Sequence, residues 1–252
     1  MIKVIIIGSG NVASHLIKAM EAQDTIDLVQ VFARKKESLE NIIDSTKIIT
    51  LMTDLKEAAI YILAVSDTTI ETVSNQIPFE NKLVVHTSGS VDFREMNPKN
   101  KRGVFYPLQT FSKNKAITFT GVPFCLETEH EEDFETLENL AKKLSSLTYK
   151  INGTQRKSLH ISAVFVSNFV NHLYQIAHEL CNENQVPFNI LLPLIEETAQ
   201  KIKTLSPIDA QTGPAIRHDK LTIEKHLNAI ENPIYKKIYQ QLTQSIQHVK
   251  KL

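Results

Sequence analysis

The feature that most constrains this chain lies within its first thirteen residues. Residues 2–7 form an apolar, β-branched run that reads as a buried parallel strand. The run breaks at Gly8-Ser9-Gly10, and residues 11–22 continue as an amphipathic helix with Val12, Leu16, Ala19 and Met20 on one face. Strand, glycine turn and helix in that order are the context in which G-x-G-x-x-[GA] marks a dinucleotide-binding unit. Gly8 lets the chain turn tightly, and Gly10 lets a pyrophosphate approach the backbone. Ala13 fills the third position, where close helix–strand packing needs a small residue. Gly8, Ser9, Gly10, Asn11, Val12 and Ala13 are therefore the expected cradle, with phosphates on the free N–H groups and positive end of the helix. Two of only seven glycines in the chain fall in this turn.

The rest of the first half repeats the strand–helix alternation. Apolar strands are expected at residues 28–32, 47–50, 59–65, 83–86 and 103–106, with a short helix at 36–43 and another at 70–75. An additional edge strand is expected at 119–126, a helix at 131–147 and a closing strand at 148–151. This is an α/β pattern, a doubly wound parallel sheet, in which ligands lie beyond the carboxyl ends of the strands. Gly8, Val65, Ser66, Ser88 and Tyr106 would all stand at that edge. NAD-binding versions of the unit carry an acid at the end of the second strand, for the ribose 2′-hydroxyl. Here Arg34 stands there, followed by two lysines, and the residue types favour NADP.

From residue 154 the pattern turns wholly helical, so residues 1–152 read as a nucleotide-binding domain and 153–252 as an all-α substrate and dimerisation domain. Helices are expected at 155–184, at 187–205 with a kink at Pro193, at 221–230 and at 233–250. The cleft between the domains is the default site. The long helix carries His160, Asn168, Asn171, His172 and Gln175 at helical spacing, and residues 161–177 contain no Lys, Arg, Asp or Glu. Solvent faces favour such charges, so a half-buried polar wall is expected, against the alternative of an ordinary solvent stripe. Two further polar features complete the candidates. Thr87-Ser88-Gly89 could bring a hydroxyl near the nicotinamide, although a plain strand-to-helix turn explains it as well. Residues 213–219 form a rigid turn in which Arg217 could grip a substrate carboxylate or simply pair with Asp219.

Lys+Arg and Asp+Glu both number 28, so no net field draws nucleic acid or an anionic membrane. The longest apolar stretch, residues 58–65, is too short to span a bilayer. No signal-peptide pattern opens the chain, and Cys125 and Cys181 lack metal spacing, so a cytoplasmic protein with reduced thiols is expected.

The glycine turn, His86-Thr87-Ser88-Gly89-Ser90, residues 106–111, and residues 212–219 followed by Thr222 and His226-Leu227 resemble one family. It comprises NADP oxidoreductases with a Rossmann-like domain and a helical domain of unknown function. More distantly the layout is similar to pyrroline-5-carboxylate reductase and the 3-hydroxyacid dehydrogenases, whose second domain is of the 6-phosphogluconate dehydrogenase C-terminal type. The resemblance implies the fold, NADP and a homodimer built on the helical domain. It does not supply a catalytic pair. The 3-hydroxyacid dehydrogenases carry Lys and then Asn one turn later early in the long helix, whereas here Lys157 is followed by Ile161 and His160 by Val164. The expected activity is an NADP-dependent hydride transfer to or from a small, carboxylate-bearing imine or carbonyl. His160, Ser88, Asn168 and Arg217 are the catalytic candidates, and a non-catalytic NADP(H)-binding sensor or scaffold protein is the alternative.

Overall fold

The computed structural model describes residues 1–249. Eight strands, β1 (Ile2–Ile7), β2 (Ile26–Phe32), β3 (Ile48–Ile49), β4 (Ile60–Leu63), β5 (Leu83–His86), β6 (Lys101–Pro107), β7 (Phe124–Thr128) and β8 (Thr148–Lys150), form one sheet in the order β3-β2-β1-β4-β5-β6-β7-β8. All neighbours pair in parallel except β6 and β7, which run antiparallel. Both faces are covered, and β1 shows why its residues 4–7 are continuously apolar. Val4 and Ile6 enter one core with Leu16, Ala13 and Leu137, while Ile5 and Ile7 enter the other with Tyr61, Ile70 and Ile77. Full burial of each such Ile contributes about 1.5–3 kcal/mol.

The first helices are α1 (Asn11–Glu21), α2 (Ile70–Asn75) and α3 (Phe134–Leu144). The helical part follows as α4 (Gly153–Ala163), a π-helical turn at Val164–Phe169, α5 (Val170–Glu183), α6 (Leu192–Lys201), α7 (Pro207–Ala210), α8 (Lys220–Ala229) and α9 (Pro233–His248). The end of the last expected helix, at Lys250, lies outside the described residues. Among the described residues no helix is long and apolar enough to cross a membrane.

Three local expectations are corrected. The helix expected at 36–43 is only a 3-10 turn, Lys36–Ser38. The Ser38 hydroxyl returns to the Lys35 carbonyl (2.6 Å) and Asp44 accepts the Thr46 N–H (2.8 Å), local bonds that compete with a helix. The strand expected at the sheet's edge from residue 119 begins at Phe124, because Pro123 has no N–H for the ladder, and it lies between β6 and β8 with β8 at the edge. Pro193 does not kink a helix. It sits in the first turn of α6, where no backbone N–H is needed, after a 3-10 turn at Phe188–Leu191.

The chain divides into two compact units, Met1–Asn168 and residues 169 onward. The secondary structure does become helical after Lys150, beside the expected 152/153 division. Yet α4 belongs with the sheet. Its N-cap Asn152 closes a reciprocal pair with Gln155, and its first N–H, from Gly153, donates to Glu127 on β7 (2.7 Å).

Candidate active site

The glycine turn is built by close approach. Gly8 has φ +138°, and a Cβ there would stand 2.1 Å from the Ala64 carbonyl oxygen. The chain can therefore pass the end of β4 only as glycine. Gly10, by contrast, has nothing within 4 Å of an added Cβ, so the space before it is open. Gly10 also caps α1 without a side chain, and its carbonyl accepts from Ser14 (2.9 Å). The N–H groups of the first helical turn are thus left to a ligand. Ala13 lies behind the turn with no exposed surface, consistent with its packing role.

A groove of about 720 Å³ runs along this carboxyl edge. Gly8, Ser9, Gly10, Asn11 and Val12 line one end of it, with Arg34 beyond β2. Val65 and Ser66 after β4, and Thr87 after β5, line the rest. Gln109 and Phe111 close over it, a contribution that sequence reading missed. Their segment is tied to α1 because Asn11 donates its amide to the Phe111 carbonyl (2.9 Å) and His15 bonds the Ser112 carbonyl (3.1 Å). The residues fit an NAD(P)(H) molecule, with an open helix N-terminus for the pyrophosphate and the exposed Arg34 at the end of the groove beside β2.

Ser88 does not line this groove; Thr87 does. Ser88 is buried, and its hydroxyl accepts the N–H groups of Ser90 and Val91, both at 3.1 Å. Ser90 in turn donates to Asp67 (2.6 Å), which leaves Ser88 to donate to the Ser90 hydroxyl oxygen (3.3 Å), so the Ser88 hydroxyl organises the loop at 87–91 and is not a free proton donor.

That loop carries the central contact of the site. A Cβ on Gly89 would meet His160 Nδ1 at 2.6 Å and Tyr106 Cζ at 2.8 Å. His160 and Tyr106 are themselves bonded, Nδ1 to hydroxyl, at 3.1 Å. Only a glycine lets the loop press against this pair. Tyr106 comes from the end of β6 and His160 from α4, so the pair stands at the carboxyl edge next to the continuation of β5. Burial, with a smaller contribution from Cys125, pushes the Tyr106 hydroxyl up to about 12, and it stays a neutral phenol.

Behind the pair, strand alternation places His86, Tyr106, Cys125 and Glu127 on one face of the sheet, through the pairings His86↔Val104, Tyr106↔Cys125 and Val104↔Glu127. Arg156 of α4 reaches this face with no exposed surface. It bonds Glu127 (2.9 Å) and the Val91 carbonyl (2.5 Å). Burial raises the Glu127 carboxyl and the Cys125 thiol, the latter to about 11.

Burial, reinforced by the Arg156 charge, holds His86 down to about 3. The Ser88 N–H donates to its Nδ1 (3.1 Å), as an unprotonated ring nitrogen requires. A lowered histidine pKa means that the unfolded chain binds the extra proton first. Stability is therefore full above about pH 6.5 and lost as pH falls toward 3, at up to about 1.4 kcal/mol per pH unit. Urea unfolding at pH 7 and pH 5 should differ by about 2 kcal/mol from this residue. His86→Asn keeps an acceptor for Ser88 and should flatten the dependence. The same slope in wild type and variant would remove His86 as its source.

The remaining candidates are separate features. Asn168 is exposed in the π turn at the end of the first unit, and Asn171, His172 and Gln175 are exposed in the second. The half-buried polar wall expected from them is not seen in either unit; of that stripe only His160 is partly buried. The π turn also breaks the 3.6-residue spacing on which the shared face rested. Arg217 is exposed on the loop before α8. Asp219 does not serve it as the suggested ion-pair partner. Its carboxylate caps α8 through the Thr222 N–H (3.1 Å) and hydroxyl (2.7 Å). His218 adopts φ +53°, the left-handed region.

Residues 3–89 match the family of coenzyme F420-dependent NADP oxidoreductases, and residues 122–246 match a domain of unknown function, DUF2520. No curated protein matches the sequence significantly. A Bacteroides fragilis protein assigned as an NADP oxidoreductase is 37% identical, with a TM-score of 0.90 over 98% of both chains. Pyrroline-5-carboxylate reductase from Streptococcus pyogenes shares the fold at 13% identity, TM-score 0.64, over 98% of this chain and 99% of its own. So does an imine reductase from Myxococcus stipitatus, at 15% identity, TM-score 0.62, over 98% and 94%. With glycine turn, sheet order and near full-length similarity in agreement, this chain belongs to the NADP oxidoreductase family that couples a Rossmann-type domain to a DUF2520 domain.

Proposed function

We propose that the protein uses NADPH to reduce a small imine or carbonyl compound bearing a carboxylate, with Tyr106 and His160 handling the proton. The observation that carries this reading is the Tyr106–His160 bond, held by Gly89 at the sheet's carboxyl edge. Fold relatives named for reduction of C=N bonds support the substrate class. Residues 8–12, with Arg34, Val65 and Ser66, would hold the cofactor, which supplies the hydride when bound.

The protein's own part is orientation and proton delivery. Tyr106, kept as a phenol by burial, shares one hydrogen bond with His160 Nδ1, which leaves Nε2 for the substrate. As an imidazolium, His160 would give its Nε2 proton to the substrate nitrogen or oxygen as negative charge develops there, and would remain as the neutral imidazole bonded to Tyr106 through Nδ1. Ser88 and Gly89 position the pair. Asn168, at the end of the same unit, is assigned to a polar contact with substrate. Exposed Leu192, Leu194, Leu221 and Ile234 on the helices of the second unit support a homodimer built there, and free Cys125 and Cys181 suit a cytoplasmic setting.

NADPH oxidation with a panel of cyclic imino acids and 2-keto acids tests the reading. His160→Ala should lower kcat about 100-fold or more with NADPH affinity unchanged, the scale of a lost general acid. Tight NADPH binding without turnover of any panel member would favour the sensor.

The cofactor preference has its own test. Arg34→Ala should weaken NADPH binding roughly tenfold to a hundredfold and leave NADH unaffected, because a charge-assisted contact to the 2′-phosphate disappears. Equal calorimetric affinities of the wild type for NADPH and NADH would overturn it.

A further inference from the structure

We infer that Arg156 is a positioning residue whose buried bonds to Glu127 and Val91 set the place of His160 against Tyr106. The inference builds on the reading of Tyr106 and His160 as the proton-handling pair. Arg156 and His160 are four residues apart on α4, so they share one face of the helix. Arg156 has no exposed surface and is the largest of the fully buried side chains. A buried ion pair is a weak way to gain stability, since apolar residues of similar volume serve as well or better. Its geometry here does something apolar residues could not.

One carboxylate, Glu127, receives both the Gly153 N–H at the start of α4 (2.7 Å) and Nη1 of Arg156 one turn later (2.9 Å). Two bonds to one fixed strand residue set both the height and the rotation of the helix. The other arm of the guanidinium donates to the Val91 carbonyl (2.5 Å), at the end of the loop that carries Gly89. Gly89 is the surface on which His160 and Tyr106 rest. Arg156 thus ties together the helix that bears His160 and the loop that supports it. The opposite end of that loop is held separately, by the Thr87 N–H on the Leu63 carbonyl (3.2 Å).

A structural role alone predicts lost stability and an unchanged imidazole. A positioning role predicts a changed imidazole even where stability is kept. The test is nitrogen-15 NMR of the His160 ring in the full chain, with the signal assigned through His160→Ala and Tyr106→Phe serving as the unbonded reference. The Glu127→Gln/Arg156→Met double variant removes both charges yet keeps an acceptor for Gly153. It should unfold near the wild-type midpoint and bind NADPH within about twofold of wild type, while its His160 shifts move to the averaged values of Tyr106→Phe. Arg156→Lys, which retains charge but not the two-armed geometry, should show the same movement and carries the test if the double variant does not fold. A wild-type His160 signal in a folded variant would overturn the inference. If Arg156 behaves as expected but His160→Ala turns over at the wild-type rate, the proposed chemistry fails and the positioning role stands.

Discussion

Glu127→Ala should destabilise the protein by about 3–5 kcal/mol, the range for breaking a buried ion pair from one side. The loss comes less from the missing attraction than from what stays behind. Arg156 would remain fully buried with its charge no longer matched, while the Gly153 N–H would lose its acceptor. Burial already lowers the Arg156 pKa, with Glu127 as the largest opposing influence, so the guanidinium has little to fall back on. For a chain of this size the change corresponds to a midpoint lower by about 10 °C in a thermal scan. Removing Glu131, whose ion pair with Lys150 is mostly exposed, should leave the midpoint nearly unchanged. If Glu127→Ala and Glu131→Ala proved equally stable, the buried pair would have no special weight.

Gly8→Ala should abolish NADPH binding, with a loss of affinity of at least about 100-fold, or about 2.7 kcal/mol. Two effects combine. The added Cβ would sit 2.1 Å from the Ala64 oxygen, inside any contact that backbone can accept. The φ of +138° is also a conformation that alanine adopts only with strain of about 1–3 kcal/mol. The turn must then move away from β4, and the N-terminus of α1 moves with it. Gly10→Ala is the informative partner, because nothing in the protein meets a Cβ there. It should fold normally and weaken NADPH only through the ligand's own approach. A Gly8→Ala protein that folds and binds NADPH like the wild type would refute this account of the turn.

The parallel sheet and its glycine turn were legible in the sequence because both depend on local order. An apolar strand buried on both faces leaves an unbroken run such as residues 4–7, and the turn after it needs glycine at a definite spacing. Arg34 was legible for the same reason: the end of the second strand is a fixed address in this fold. Residues 36–43 were misread from a short apolar pattern, and Pro193 because the helix was taken to start before it. Backbone donors and short side-chain bonds decided those stretches, and the hydrophobic pattern does not record them.

The site itself was only partly visible. His160 stood out as an imidazole in a helix poor in charge, and Ser88 as a hydroxyl at a strand end, yet neither pattern reveals a partner. Tyr106 lies 54 residues from His160, Val91 lies 65 from Arg156, and Glu127 lies 29 from it. A charge at Glu127 in the strand Phe-Cys-Leu-Glu-Thr was a signal, because a core-facing acid needs a buried partner, but its partner could not be named from spacing. The π turn changed the helical phase beyond Ala163, and with it the stripe that linked His160 to Asn168. The sequence by itself determined the sheet, the glycine turn and the cofactor groove, since each follows from neighbours along the chain. Only the tertiary structure decided which hydroxyl meets His160, that Ser88 serves its own loop, and that a buried arginine holds the helix in place. Those contacts form when distant strands come into register, and hydrogen bonds across such distances leave no period in the chain.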